Sequence, residues 1–135
     1  MGIYSGKTKI LQVFMSFANN QGEANYQAKI QTIAQKLKNW EGPIVIVSHV
    51  DPDGDALGST LGLKRALEHM GKPSTLIMNP QRYLQFLVSS HELSKPLAEL
   101  PSNCLLMVMD VAEANRIEGT NMQEASFVIN IDHHG

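Results

Sequence analysis

A chain of 135 residues with 43% hydrophobic and 18% charged side chains has the make-up of a soluble globular protein, large enough for one core and too small for two. Its net charge of −2 argues against the broad basic footprint that long nucleic acid demands. It leaves room for a small anion, because one ion or one arginine can dominate a local field.

Residues 1–22 read as a leader. Lys7 and Lys9 before "ILQVFMSFA" loosely resemble a signal peptide, but "NNQGE" follows without a small-x-small cleavage site, so secretion is not expected. The myristoylation pattern also fails, because Gly6 stands where Ser or Thr is required. "ILQVFMSF" suits a helix or a strand. Next, Tyr26, Ile30, Ile33 and Leu37 recur at helical spacing until "EGP" stops the pattern. "IVIVS" is β-branched with no polar alternation, which predicts a strand buried on both faces.

A second helix is predicted from about Asp55 to Met70, with Gly71 in the position after its cap and Pro73 just beyond. Gly58 and Gly62, one turn apart, are expected to let it lie close to the sheet. "STLIMN", "CLLMVMD" and "SFVINID" are three further strands. "PQRYLQFLVSSHELSKPLAEL" connects the first two of these with one or two short helices, in which Tyr83, Phe86 and Leu87 are read as packing residues. "AEANRIEGTNMQEA" is a turn with broken helix. Strand and helix in alternation, with continuously apolar strands, predict a three-layer α/β/α architecture around an open parallel sheet of about four strands. No stretch is apolar for the length of a membrane span. Cys104, the single cysteine, lies in an apolar run and reads as a buried thiol in a reducing compartment, which places the protein in the cytoplasm.

His49, Asp51, Asp53 and Asp55 follow the first predicted strand of that sheet, Asp110 ends the third, and Asp132, His133 and His134 end the fourth. In an open parallel sheet all strand C-termini lie along one edge, where ligands bind. Three separate segments therefore deliver carboxylates and imidazoles to one place. Any one of these aspartates alone reads as a solvated loop residue; the set together reads as a metal site. An EF-hand is excluded, since counting from Asp51 its sixth and twelfth positions hold Ala56 and Gly62 rather than Gly and Glu. Structural zinc is excluded by the excess of oxygen ligands. Carboxylates with a minority of imidazoles suit Mn²⁺, with Mg²⁺ or Co²⁺ as alternatives, and the number of acids suggests two ions. Neither a P-loop nor a dinucleotide-binding glycine pattern is present. Ser48 beside His49 is not part of a catalytic triad, because neighbouring strand residues point to opposite faces. His69 and His91 fit no pattern and read as surface or helix residues, and the methionines as core.

At these residues the sequence resembles the DHH phosphoesterase family. "SHVDPDGDALGS" is similar to its first motif, the aspartate of "VMDVAE" to its second, and "IDHHG" to the motif that names it. The resemblance covers about residues 25–135, and "NPQRYLQFL" is most like the branch that degrades very short RNAs and dephosphorylates 3′-phosphoadenosine 5′-phosphate. It implies that His49 and Asp53 bind one manganese ion, Asp55 and His133 the other, and that Asp110 bridges them. It further implies that Asp132 orients the cluster from behind the ligands and that His134 faces the substrate phosphate.

Family members carry a further aspartate on a later strand and a smaller C-terminal domain that grips the substrate. Residues 23–135 are therefore expected to be the N-terminal part of a DHH domain, inactive alone. The expected reaction is phosphoester hydrolysis by metal-activated hydroxide on short oligoribonucleotides or nucleotide 3′-phosphates. A cyclic-dinucleotide phosphodiesterase, an inorganic pyrophosphatase and a non-catalytic metal-binding module are the alternatives. The expected partner is a short oligonucleotide or nucleotide, with homodimerisation open and neither a membrane nor long duplex nucleic acid involved.

Overall fold

Strands that are apolar on both faces need cover on both, and this requirement shapes the computed structural model, which describes residues 9–14, 23–111 and 124–132. Five parallel strands form one sheet: β1 (Lys9–Phe14), β2 (Ile44–Val47), β3 (Thr75–Leu76), β4 (Leu105–Met109) and β5 (Phe127–Asp132). Their order is β1-β5-β4-β2-β3. Helix α1 (Glu23–Asn39) links β1 to β2, and α2 (Gly54–His69) links β2 to β3. Two 3₁₀ turns, Arg82–Leu87 and Ser90–Glu92, lie between β3 and β4. The parallel α/β fold is as expected; β1 is the strand form of "ILQVFMSF" and adds an edge to the four strands anticipated. Most of the broken-helix segment, residues 112–123, lies outside the described residues.

Side chains alternate across the sheet. Ile44, Ile46, Leu76, Leu105, Met107 and Ile129 face one side, where they pack with Ile33 and Leu37 of α1 and Leu57, Leu61 and Leu67 of α2. Val45, Val47, Leu106, Val108 and Val128 face the other, together with Cys104, and Leu97 and Leu100 pack against them. Full burial of each such large side chain stabilises the fold by about 1.5–3 kcal/mol. Burial also pushes the Cys104 thiol up to about 11, which keeps it a protonated, inert core residue. Ile30 departs from the expected helix stripe: it is exposed, and α1 contacts the core through Ile33 and Leu37.

Helix α2 begins one residue earlier than expected because Asp53 is its N-cap, with Oδ1 accepting the Ala56 N–H at 2.9 Å. It ends in a Schellman motif. Lys72 N–H reaches the Leu67 carbonyl at 2.8 Å, Gly71 N–H reaches Glu68 at 3.0 Å, and Gly71 takes a φ of +79°. The expected role of Gly58 and Gly62 is not what the structure shows. Both are exposed, and a β-carbon at either would meet nothing within 4 Å, because Ala56, Leu57, Thr60 and Leu61 form the sheet-facing side of α2. Gly62→Ala is accordingly expected to stabilise the protein by about 0.5–1 kcal/mol, read from the urea midpoint; destabilisation would mean that another surface sits on that face.

The 3₁₀ turns are tied to α2 by Arg65, whose Nε and Nη2 donate to Glu92 at 2.9 and 3.0 Å, while Glu92 also accepts the Ser89 N–H at 3.0 Å. The guanidinium and that N–H hold the Glu92 carboxyl down to about 2. A carboxyl with a depressed pKa contributes stability above its unfolded pKa and loses it as pH falls through the folded one. Glu92→Gln is thus expected to lower Tm at pH 7, with the gap to the parent protein closing between about pH 4.5 and 2. The gap is modest, since the Arg65 side chain is 54% exposed and solvent screens the pair. A gap independent of pH would refute the assignment.

Candidate metal centre

The strand order fixes where a ligand can sit. From β2 the chain crosses to β3 at one edge, and from β4 it crosses to β5 in the opposite direction, so the order reverses between β2 and β4. Parallel sheets open a crevice beyond the strand C-termini at such a point. His49 follows β2 and Asp110 follows β4, so both stand at its mouth.

His49 Nδ1 lies 2.7 Å from the Val50 carbonyl oxygen and donates to it, so that in the neutral ring Nε2 is the nitrogen that can ligate an ion. That nitrogen is 3.5 Å from Asp110 Oδ2. Asp53, on the N-cap of α2, completes a group whose ligand atoms all lie within 4.8 Å of one another. Donors about 2.1 Å from a common ion stand roughly 3–3.5 Å apart at ordinary coordination angles, so the His49–Asp110 spacing fits one cation. The His49 and Asp110 side chains are 12% and 6% exposed, whereas Asp53 is exposed. The group is therefore closed toward the sheet and open toward solvent, the arrangement of a site that keeps a position for substrate. The amino terminus of α2 points at the same place and favours an anion there.

Asp53 also has a purely structural task as the helix cap, but a carboxylate has two oxygens, and capping through Oδ1 leaves Oδ2 for an ion. Asp110 is buried and has a φ of +61°, a left-handed conformation uncommon outside glycine and found at functional sites. Asp51 has a similar φ of +52° but is exposed and outside the group. Asp55 sits in the first turn of α2, exposed and also outside it.

Two features escaped the sequence reading. Ser48 is 3% exposed and its hydroxyl donates to the Met109 carbonyl at 2.7 Å, joining the two strand ends that carry His49 and Asp110. The signal was a single small polar residue closing an apolar run. Tyr83, Phe86 and Leu87, read as packing residues, are 63%, 82% and 47% exposed. The segment forms a 3₁₀ turn, whose three-residue repeat aligns 83 with 86 on one ridge, while Leu84 alone turns into the core. His69 and His91 are exposed, as expected.

Residues 43–135 match the N-terminal domain of the DHH family. The chain belongs to the DHH family. Bifunctional oligoribonuclease and PAP phosphatase NrnA of Thermus thermophilus is 47% identical over 86% of this chain and 35% of its own length. The NrnA protein of Bacillus subtilis, of the same description, is 31% identical over 67% of this chain and 29% of its own. The DHH chain thus spans about a third of the length of these relatives. An exopolyphosphatase-related protein from Bacteroides fragilis superposes with a TM-score of 0.64 at 28% identity, covering 80% of this chain and 35% of that one. Of the three residues that name the DHH family, Asp132 is the buried last residue of β5, beside the end of β4. His133 and His134 lie outside the described residues.

Proposed function

We propose that this DHH chain forms the metal-binding part of a phosphoesterase that hydrolyses short oligoribonucleotides or nucleotide 3′-phosphates, with two manganese ions as its cofactor. The convergence of His49, Asp53 and Asp110 at the point where the strand order reverses carries this reading. The names of the NrnA relatives supply the substrate class. In the proposed arrangement His49 and Asp53 would hold one ion, Asp55 and His133 the other, and Asp110 would contribute to both. Asp132 would orient the ligands, and His134 is the residue proposed to meet the phosphate. When bound, the ions supply Lewis acidity, acidifying a water and offsetting charge on the phosphoryl oxygens. The chain's own residues bind and orient: the α2 terminus attracts the phosphate and the buried Asp110 resists displacement. A cytoplasmic location goes with this reading, supported by the single buried thiol of Cys104.

Preference for short substrates follows from where the basic and aromatic residues lie. Trp40, before β2, and Phe127, first in β5, pack together with Lys36 over their rings at the amino-terminal edge of the sheet, opposite the site. Lys64 and Lys72 are engaged by the Ser74 and Trp40 carbonyls. Near the metal loop, among the described residues, stands the short Tyr83–Phe86 ridge with the exposed Arg82 beside it, in a turn that Gln81 Nε2 anchors to the Pro52 carbonyl at 3.5 Å. A long single strand needs a basic groove with successive stacking platforms, and the described residues offer one ridge. The complete enzyme of which this chain would form the metal-binding part is expected to hydrolyse a dinucleotide faster than a long single strand with the same ends. Faster cleavage of the long strand would refute the substrate class, and exclusive hydrolysis of pyrophosphate or a cyclic dinucleotide would transfer the site to those substrates.

A further inference from the structure

We infer that Ser48 is a positioning residue for the metal centre, acting through the peptide that joins Met109 to Asp110. Both polar groups of that peptide are held. Its carbonyl accepts the Ser48 hydroxyl at 2.7 Å, and its N–H donates to the Ile131 carbonyl at 2.9 Å. The first bond comes from the end of β2 and the second from β5, so the peptide is clamped from both neighbouring strands.

The clamp lies where rotation would do most damage. Asp110 has a φ of +61°, a strained conformation that persists only when its surroundings enforce it. A turn of the 109–110 peptide would swing the Asp110 carboxylate, the partner that faces His49 Nε2 at 3.5 Å. Ser48 is the residue immediately before His49, so one part-buried hydrogen bond ties together the backbone supports of two members of the group. Val47 pairs with Val108 in the preceding register, and Ser48 carries that alignment to the point where both strands stop. At 3% exposure the hydroxyl has little access to water, and its loss leaves the partly buried Met109 carbonyl short of a donor.

This inference rests on the metal-centre reading, and its test separates the two. Mn²⁺ dissociation constants are measured calorimetrically for the parent protein, Ser48→Ala, Ser48→Thr, His49→Ala and the Ser48→Ala/His49→Ala pair, and Tm is recorded for each without metal. Ser48→Ala is expected to weaken Mn²⁺ binding about 10- to 100-fold, the range for groups that orient metal ligands, at a temperature where the metal-free variant is fully folded. Ser48→Thr, which keeps the hydroxyl, is expected to restore most of that affinity. Adding Ser48→Ala to His49→Ala is expected to cost less than it does in the parent, because coupled residues are not additive. Parent-like affinity in Ser48→Ala overturns the inference and leaves the metal centre standing. So does full additivity of the two substitutions. Failure of the parent protein to bind Mn²⁺ overturns both.

Discussion

In the complete enzyme of which this chain would form part, Asp110→Asn is expected to lower turnover at least about 100-fold, since even groups one step removed from the metal cost 10- to 100-fold, whereas Asp51→Asn leaves it within about twofold. The pair is a matched comparison. Both aspartates hold left-handed backbone, with φ of +61° and +52°, and asparagine tolerates that region as well as aspartate does. Backbone strain is therefore equal in the two variants, and only the charge is removed. Asp110 is buried and faces His49 at 3.5 Å; as the ligand proposed to be shared between two ions, its loss weakens both. Asp51 is exposed and outside the group, where substitutions usually stay within about ±0.5 kcal/mol. Steady-state rates on a dinucleotide, with Tm as the folding control, decide the matter. Equal losses would show that the loop after β2 has been misassigned.

The fold was legible where one physical cause acted alone. The β-branched run without polar alternation marked β2, the apolar runs before Asp110 and Asp132 marked β4 and β5 nearly to the residue, and Gly71 with Pro73 marked the end of α2. Legibility failed where a residue has two uses. Gly58 and Gly62 read as packing glycines because close helix approach is a common reason for such spacing, yet they face solvent. Tyr83 and Phe86 read as core because aromatic residues at short spacing usually are; the 3₁₀ repeat turns them outward instead.

The site was legible from the edge rule. Parallel strands put their C-termini together, so His49, Asp53 and Asp110 could be assembled without coordinates. Two things were not available from that argument. One is the cap: Asp53 starts α2, and a carboxylate before a helix does not announce whether it serves the helix, an ion or both. The other is Ser48, whose importance depends on which carbonyl lies opposite it across the sheet. That is a matter of register, and local pattern does not carry it.

In the complete enzyme, removal of metal is expected to abolish turnover, and added Mn²⁺ to restore it. His49 Nε2 and the carboxylates of Asp53 and Asp110 gather lone pairs and negative charge within 4.8 Å, an arrangement that a cation stabilises and that leaves the group self-repelling without one. The described residues contain no Ser-His or Cys-His pairing that would provide a nucleophile independently: the Ser48 hydroxyl is committed to the Met109 carbonyl and Cys104 is buried in the core. Dialysis against a chelator should therefore leave essentially no hydrolysis of a dinucleotide, with Mn²⁺ more effective than Mg²⁺ on readdition because of the imidazole ligand. Undiminished activity after exhaustive chelation would end the metal mechanism.

The most direct test of the centre itself is a Mn²⁺ titration followed by electron paramagnetic resonance, on the parent protein and on His49→Ala, Asp53→Ala and Asp110→Asn. Saturable binding by the parent and a weakened site in each variant are expected, with Asp110→Asn the most severe. Binding that is equally strong in all four proteins would place the ion elsewhere and contradict that expectation.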